Sequence, residues 1–113
     1  MSTIDELIGM PVEMARSRAQ RRRGLLGRDG IEGVLVLEPC RQVHTIGMRF
    51  PIDVAFCAAD GRVLRLVTLR PGRVSRPVWR ARRVLEAEAG AWARWGLRCG
   101  VVLQVREHAA RES

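Results

Sequence analysis

Apolar residues along the chain fall in short periodic blocks separated by Gly, Pro and Asp, and each block predicts one element. Val12 and Met14 alternate with polar partners, which predicts a first strand entered through Pro11. Ser17-Arg18-Ala19-Gln20 has the form of a capping box, in which a Ser hydroxyl takes the amide proton three residues on and the Gln side chain reaches back. A short helix is therefore expected to run to about Leu26, with Ala19 and Leu26 turned inward and Gly27 closing it in the left-handed conformation. Gly33 to Leu37 is an uninterrupted apolar run, as in a strand buried on both faces, and Pro39 ends it. Ile52-Asp53-Val54-Ala55-Phe56 and Arg62 to Val67 flank Ala58-Ala59-Asp60-Gly61, and Asp-Gly between two β-rich runs predicts a hairpin. Pro71, Gly72 and Pro77 mark a long exposed loop, after which Val84 to Glu88 returns as a strand. Ala91 to Trp95 makes one or two helical turns closed by Gly96, and Val101 to Val105 is the last strand.

These elements describe a mainly β fold, a single-domain compact β-sandwich or partly open barrel with one or two short helices. The chain has 113 residues, 47% of them hydrophobic, which fits one domain over residues 10–106 with an N-terminal segment at 1–9 and a frayed tail at 107–113. With two Phe and no Tyr, the core must be built from Val, Leu and Ile, and Trp92 and Trp95 are expected to pack the short helix onto a sheet. The longest apolar runs are too short to span a bilayer, so no membrane insertion is expected. Acids in Met1 to Leu7, where a secretory signal would carry Lys or Arg, point to a cytoplasmic location. Unpaired strand edges in so small a fold leave both a monomer and a homodimer open.

The central block Val43-His44-Thr45-Ile46-Gly47-Met48-Arg49-Phe50-Pro51-Ile52-Asp53, followed by Asp60-Gly61-Arg62-Val63, resembles a known family when taken with Gly24-Leu25-Leu26-Gly27-Arg28 upstream and Val84 to Gly90 downstream. It is similar to domain-of-unknown-function family 192, small prokaryotic β-rich domains without an established activity. The resemblance runs from about Val12 to about Val105 and implies a compact β fold in a bacterial protein of uncharacterised function. In much of that family the residues before the Pro-Leu-Asp element read Trp-Met-Lys-Asn-Thr, whereas here they are His44, Thr45, Ile46, Gly47 and Met48. This looks like a sub-branch with its own site chemistry, marked by Val-His-Thr-x-x-Met-Arg-Phe-Pro-Ile-Asp. The family's closing Gly-Asp is Gly100-Val101 here, so any role of that acid is missing.

The net charge of +8 is carried by Arg alone, since the chain has no Lys. Arg-only usage with abundant Ala and Gly is what a GC-rich genome gives, and this reading is favoured over a nucleic-acid surface. The competing surface would comprise Arg76, Trp79, Arg80, Arg82 and Arg83, where an aromatic among guanidinium groups could stack a base and neutralise phosphates. Arg21-Arg22-Arg23 reads most simply as a solvated helix face. Cys40, Cys57 and Cys99 show no Cys-x-x-Cys spacing and read as reduced thiols. Only Cys40, beside Arg41 and near His44, has neighbours in sequence that could activate it. There is no Walker loop, no Gly-x-Ser-x-Gly elbow and no dinucleotide fingerprint opening a helix.

Few residues could carry chemistry. Asp53 lies in an apolar strand where a carboxylate is costly unless paired, so a partner such as Arg28 or Arg49 is expected. Glu86 alternates with Leu85 and Ala87, which places it on the solvent face or beside Asp53 across neighbouring strands. If the two converge, one has a raised pKa and can act as a general acid. His44 could join Asp53 and Glu86 in a metal site, although no paired-ligand motif such as His-x-x-x-His announces one.

The favoured reading is a non-catalytic accessory domain that binds a small ligand or a protein partner through Arg28, His44, Thr45, Met48, Arg49, Asp53 and Glu86. No cofactor, resident metal or catalytic residue is assigned. The alternatives are a small metal-dependent or carboxylate-using hydrolase around His44, Asp53 and Glu86, and a weak nucleic-acid binder through the Arg-rich loop.

Overall fold

Asp60-Gly61 turns the chain back on itself, and the main sheet is assembled around that hairpin. The computed structural model describes residues 2–3 and 11–104. Its elements are β1 (Ser2–Thr3), β2 (Val12–Ala15), α1 (Arg18–Arg23), β3 (Val34–Leu37), β4 (Ile52–Cys57), β5 (Val63–Leu69), β6 (Arg83–Glu88), α2 (Ala91–Arg94) and β7 (Leu103–Gln104). The protein is mainly β: five strands form one sheet in the order β2-β3-β6-β4-β5, and β1 pairs in parallel with β7. Strands β2 and β3 are parallel, and the other neighbours in the sheet are antiparallel. The sheet does not close into a barrel, so β2 and β5 are its edges.

The hairpin joins β4 to β5, with a register shift between Phe56 and Cys57. Gly61 is required there twice over. Its φ is 92°, and a Cβ would lie 1.8 Å from the Leu103 carbonyl oxygen, because the Leu103 N–H donates to the Gly61 carbonyl at 2.9 Å. The turn thus docks the C-terminal strand by backbone contact that any side chain would block.

Every residue of β3 and β4 is buried, as expected for strands covered on both faces. On one face Val36, Ala55, Leu85 and Leu103 pack with Trp92 of α2. Trp92 and Trp95 meet edge to face with centroids 5.8 Å apart, so the aromatic pair does pack the short helix onto the sheet. On the other face Leu35, Val54, Phe56 and Val84 pack under Leu25 and Met48, which come from the connections after α1 and β3.

Helix α1 begins as the capping box predicts: the Gln20 N–H donates to Ser17 Oγ at 3.1 Å, and Gln20 Oε1 accepts the Ser17 N–H at 3.1 Å. It ends earlier than expected, at Arg23, because Gly24 takes φ 48° and closes the helix before Leu26 is reached; Gly27 lies in the turn beyond. Nor does Ala19 turn inward. None of the six residues of α1 is buried, since four of them are Arg, and the chain is anchored instead by Leu25 just past the cap. The last strand starts later than the expected Val101: Val102 makes only a bridge to Arg62 before Leu103–Gln104. Val105, the expected tail at 107–113 and most of the segment 1–9 lie outside the described residues. Among the described residues no helix is long and apolar enough to cross a membrane.

Candidate functional site

Strand β6 lies between β3 and β4, and its register decides where the two buried acids point. Glu86 stands opposite Leu35 on one side and Val54 on the other, whereas Asp53 stands opposite Ala87. Directly opposed residues share a face and successive residues alternate, so Asp53 and Glu86 point to opposite faces of the sheet. The expected carboxylate pair is not formed. A grouping of His44, Asp53 and Glu86 around one metal fails for the same reason, and among the described residues no cluster of three His, Cys, Asp or Glu could hold a metal ion.

Asp53 is 3% exposed and is saturated with donors. Its Oδ1 accepts the Thr68 hydroxyl at 2.7 Å, and its Oδ2 accepts the N–H groups of Gly90 at 3.0 Å and Trp92 at 3.1 Å. The two amides are orphan donors at the start of α2, whose own cap, Gly90, has no side chain to offer them. Asp53 therefore fastens α2 to the sheet across strands. The expected arginine partner is absent because Arg28 forms a two-pronged pair with Glu13 at 3.0 and 2.9 Å, and Arg49 pairs with Asp29 at 3.0 Å. The Arg28 hydrogen bonds hold the Glu13 carboxyl below its ordinary value, with partial burial opposing them. Asp53 also borders a cavity of about 350 Å³ beside Trp92, whose indole Nε1 is buried without an acceptor among the described residues.

Glu86 is equally buried, at 3% exposure, and its Oε1 is fully enclosed with no hydrogen-bond partner among the described residues. Burial alone pushes its pKa up to about 7. The carboxyl lies at the inner end of a cavity of about 420 Å³, within the range of small-molecule sites. Leu25, Leu37, Val43 and Met48 supply its apolar lining. Its rim carries Arg18, Arg21, Arg22 and Arg23 of α1 and Arg41 of the following loop. The backbone at Gly24 crosses close above the acid, since a Cβ there would lie 3.5 Å from Glu86 Oε1.

The rim arginines form no ion pair with an acid among the described residues. Arg18, Arg22 and Arg23 make no ion pair among the described residues, Arg21 donates to the Arg16 carbonyl, and Arg41 Nε donates to the Trp79 carbonyl at 3.0 Å. Cationic groups at the mouth, apolar walls and a proton-exchanging acid inside make an arrangement suited to binding. A nucleophilic role for Cys40, which also lines this cavity, is not supported by its surroundings. Burial pushes its thiol up, the Glu86 carboxyl adds to the effect, and its Sγ donates to the Gln42 carbonyl at 3.3 Å instead of meeting a base. Cys57 is held up to about 12 by burial in the opposite core.

Of the seven residues singled out from sequence for a ligand site, the structure brings three, His44, Met48 and Glu86, to this cavity. His44 Nδ1 accepts the Ile46 N–H at 3.3 Å, which fixes the ring from a backbone that bridges Val74. Thr45 is fully buried and organises the loop: its hydroxyl donates to the Arg70 carbonyl at 2.6 Å and accepts the Arg73 N–H at 2.9 Å. Arg28, Arg49 and Asp53 lie elsewhere, engaged as described. The Arg-rich loop stands on the surface, with Trp79 76% exposed, Arg76, Arg80 and Arg82 exposed, and Arg83 donating to Glu38 at 3.0 Å. Missed from sequence were the α1 arginines, Cys40 and Arg41 as cavity residues; the available signal was a capped Arg-rich helix ending directly on glycine.

Comparison with known proteins places the chain in context. The model of DUF192, described as an uncharacterized ACR, matches residues 3–105. A crystal structure of a protein of unknown function from Novosphingobium aromaticivorans superposes with a TM-score of 0.70 at 26% identity, over 79% of this chain and 70% of that one. A Sinorhizobium meliloti structure, named a "putative transcription regulator", superposes with a TM-score of 0.68 at 25% identity, over 79% of this chain and 76% of that one. No curated protein matches the chain.

Proposed function

This chain belongs to the DUF192 family, and from that premise we propose that it is a non-catalytic binding domain whose site is the cavity beneath α1 and whose ligand is a small organic anion. The observation that carries the reading is a buried carboxyl, without a hydrogen-bond partner among the described residues, at the inner end of a pocket rimmed by arginines. Folding alone gives no return for such a group, because an apolar side chain in its place would avoid the desolvation. A site that supplies the missing hydrogen-bond partner with its ligand accounts for it. His44 and Met48, from the block that departs from the common family pattern, stand at the same cavity, which supports a sub-branch with its own ligand.

The absence of an activated nucleophile or a convergent acid pair among the described residues favours binding over hydrolysis. Nucleic-acid regulation, the association carried by the name of the Sinorhizobium neighbour, is less well served: the described helices have six and four residues, too short to read a major groove in the manner of a recognition helix. Free thiols at Cys40, Cys57 and Cys99 fit a reducing, cytoplasmic setting.

Native mass spectrometry of gently purified protein at low salt, followed by thermal unfolding with sodium phosphate, sodium citrate and ribose 5-phosphate, tests the reading. A co-purifying organic mass, or a Tm increase over sodium chloride of equal ionic strength that is lost in Arg22→Ala/Arg23→Ala, is the expected result. A clean apo mass with no anion-specific stabilisation would overturn it.

A further inference from the structure

The two ends of the cavity make opposite demands on an occupant. The rim offers guanidinium groups, three of them, on Arg18, Arg22 and Arg23, without an acid partner among the described residues. The inner end offers a carboxyl group that needs a hydrogen-bond donor when ionised and repels a second anion. The cavity is also lined by the aliphatic side chains of Leu25, Leu37 and Val43 and the thioether of Met48. Inorganic phosphate or a short dicarboxylate meets the first demand and leaves Glu86 as unpartnered as before. A ligand that meets all three has an anionic head, an apolar and preferably flat body, and a donor group at its far end.

Resting on the binding reading above, we propose that the ligand is a nucleoside monophosphate whose base carries an exocyclic amino group, bound with its phosphate at the α1 arginines and its base directed to Glu86. Phosphate oxygens accept the forked N–H pairs of arginine, and sugar plus base keep that charge away from the inner carboxyl. A planar base packs between branched aliphatic walls, and a methionine sulfur makes favourable contact with an aromatic ring. The amino group donates to the carboxylate as cytosine N4 does to Glu or Asp in base recognition. Against the ionised carboxyl, the form present above pH 7, a uracil would present a carbonyl and leave oxygen against oxygen. The cavity of about 420 Å³ is of small-molecule size.

CMP and UMP form the sharpest test, because they share ring size, sugar and phosphate and differ at the amino or carbonyl position. Isothermal titration of the full chain at pH 8, where the Glu86 carboxyl is ionised, is expected to give CMP a Kd at least about fivefold below that of UMP, the lower end of what one discriminating base contact supplies. Glu86→Gln, whose amide can serve either base, should bring the two affinities together. Arg22→Ala/Arg23→Ala, exposed positions that leave the core intact, should weaken CMP, UMP and ribose 5-phosphate alike. Equal affinities for CMP and UMP in the unmodified protein, or an amino-base preference that survives in Glu86→Gln, would overturn the inference. So would binding confined to single-stranded oligonucleotides, which would assign the arginines to a polymer track. If ribose 5-phosphate binds through the rim arginines and no base preference exists, the small-anion reading stands and this inference falls; if no anion binds, the reading itself falls.

Discussion

Asp53 and Glu86 sit on neighbouring strands at the same 3% exposure, yet among the described residues one has every donor it can use and the other has none. Burial is identical, so burial does not define a site. What separates them is the face of the sheet: Asp53 meets the open start of α2, while Glu86 meets an apolar cavity and the backbone of Gly24. A carboxylate that accepts a hydroxyl and two amide protons is a structural fastener. A carboxyl raised to about 7 with no hydrogen-bond partner among the described residues is, on the proposed reading, a group held ready for a ligand.

The largest effect should come from Asp53→Ala, which strands two amides and a hydroxyl in the interior. A loss of about 3 kcal/mol or more in urea unfolding is expected, with α2 loosened from the sheet. Asp53→Asn retains one acceptor and should cost less. A loss below about 1 kcal/mol for the Ala variant would erase the contrast, since that is the scale of one net hydrogen bond.

Glu86 should behave in the opposite sense. Its carboxyl is raised in the folded state from 4.5 to about 7, so the unfolded chain ionises first as pH increases. Stability from this group is therefore full below about 4.5, declines through the interval to about 7, and then levels off, a change of about 3 kcal/mol. Glu86→Leu should be more stable than the unmodified protein at pH 8, with the advantage shrinking toward pH 5, while losing the preference for CMP over UMP. Urea unfolding of both proteins across that range checks the direction; a Glu86→Leu protein that is less stable at pH 8 would mean the carboxylate has found a partner.

A smaller effect is expected at Gly24, whose φ of 48° with ψ of −125° suits only glycine. Gly24→Ala should cost about 1–2 kcal/mol through backbone strain. The added methyl, 3.5 Å from Glu86 Oε1, should also leave the carboxyl harder to ionise. Smallest of all should be Arg28→Ala. Its pair with Glu13 is solvent-exposed at 39% and 46%, and such pairs contribute at most about 1 kcal/mol. A larger loss would show that the outer ion pairs, and not the buried acids, hold this region.

Local chemistry explains what could be read in advance. The capping box at Ser17, the Asp60-Gly61 hairpin and the buried run ending at Leu37 each depend on residues a few positions apart, so they are written in the chain directly. The relation between Asp53 and Glu86 is not of that kind. Period-two alternation places each acid on a face of its own strand, but only the pairing of Val54 with Glu86 fixes one strand against the other, and a slip of one residue would have put the acids together. The α1 arginines were hidden by a sound expectation, since a run of charge is ordinarily a solvated face; they are solvated here too, and line a cavity only because Gly24 ends the helix above Glu86. Arg28 was an expected partner of Asp53, and the backbone amides that took its place have no signature in sequence.

The contrast is tested most directly by carbon-13 NMR titration of the side-chain carboxyls, with Glu86→Gln used to assign the resonance. One glutamate carboxyl should titrate with a midpoint near 7, vanish in Glu86→Gln and persist in Asp53→Asn. If every glutamate titrates below about 5, the ordinary carboxyl range, Glu86 is solvated or partnered and the cavity holds no poised acid.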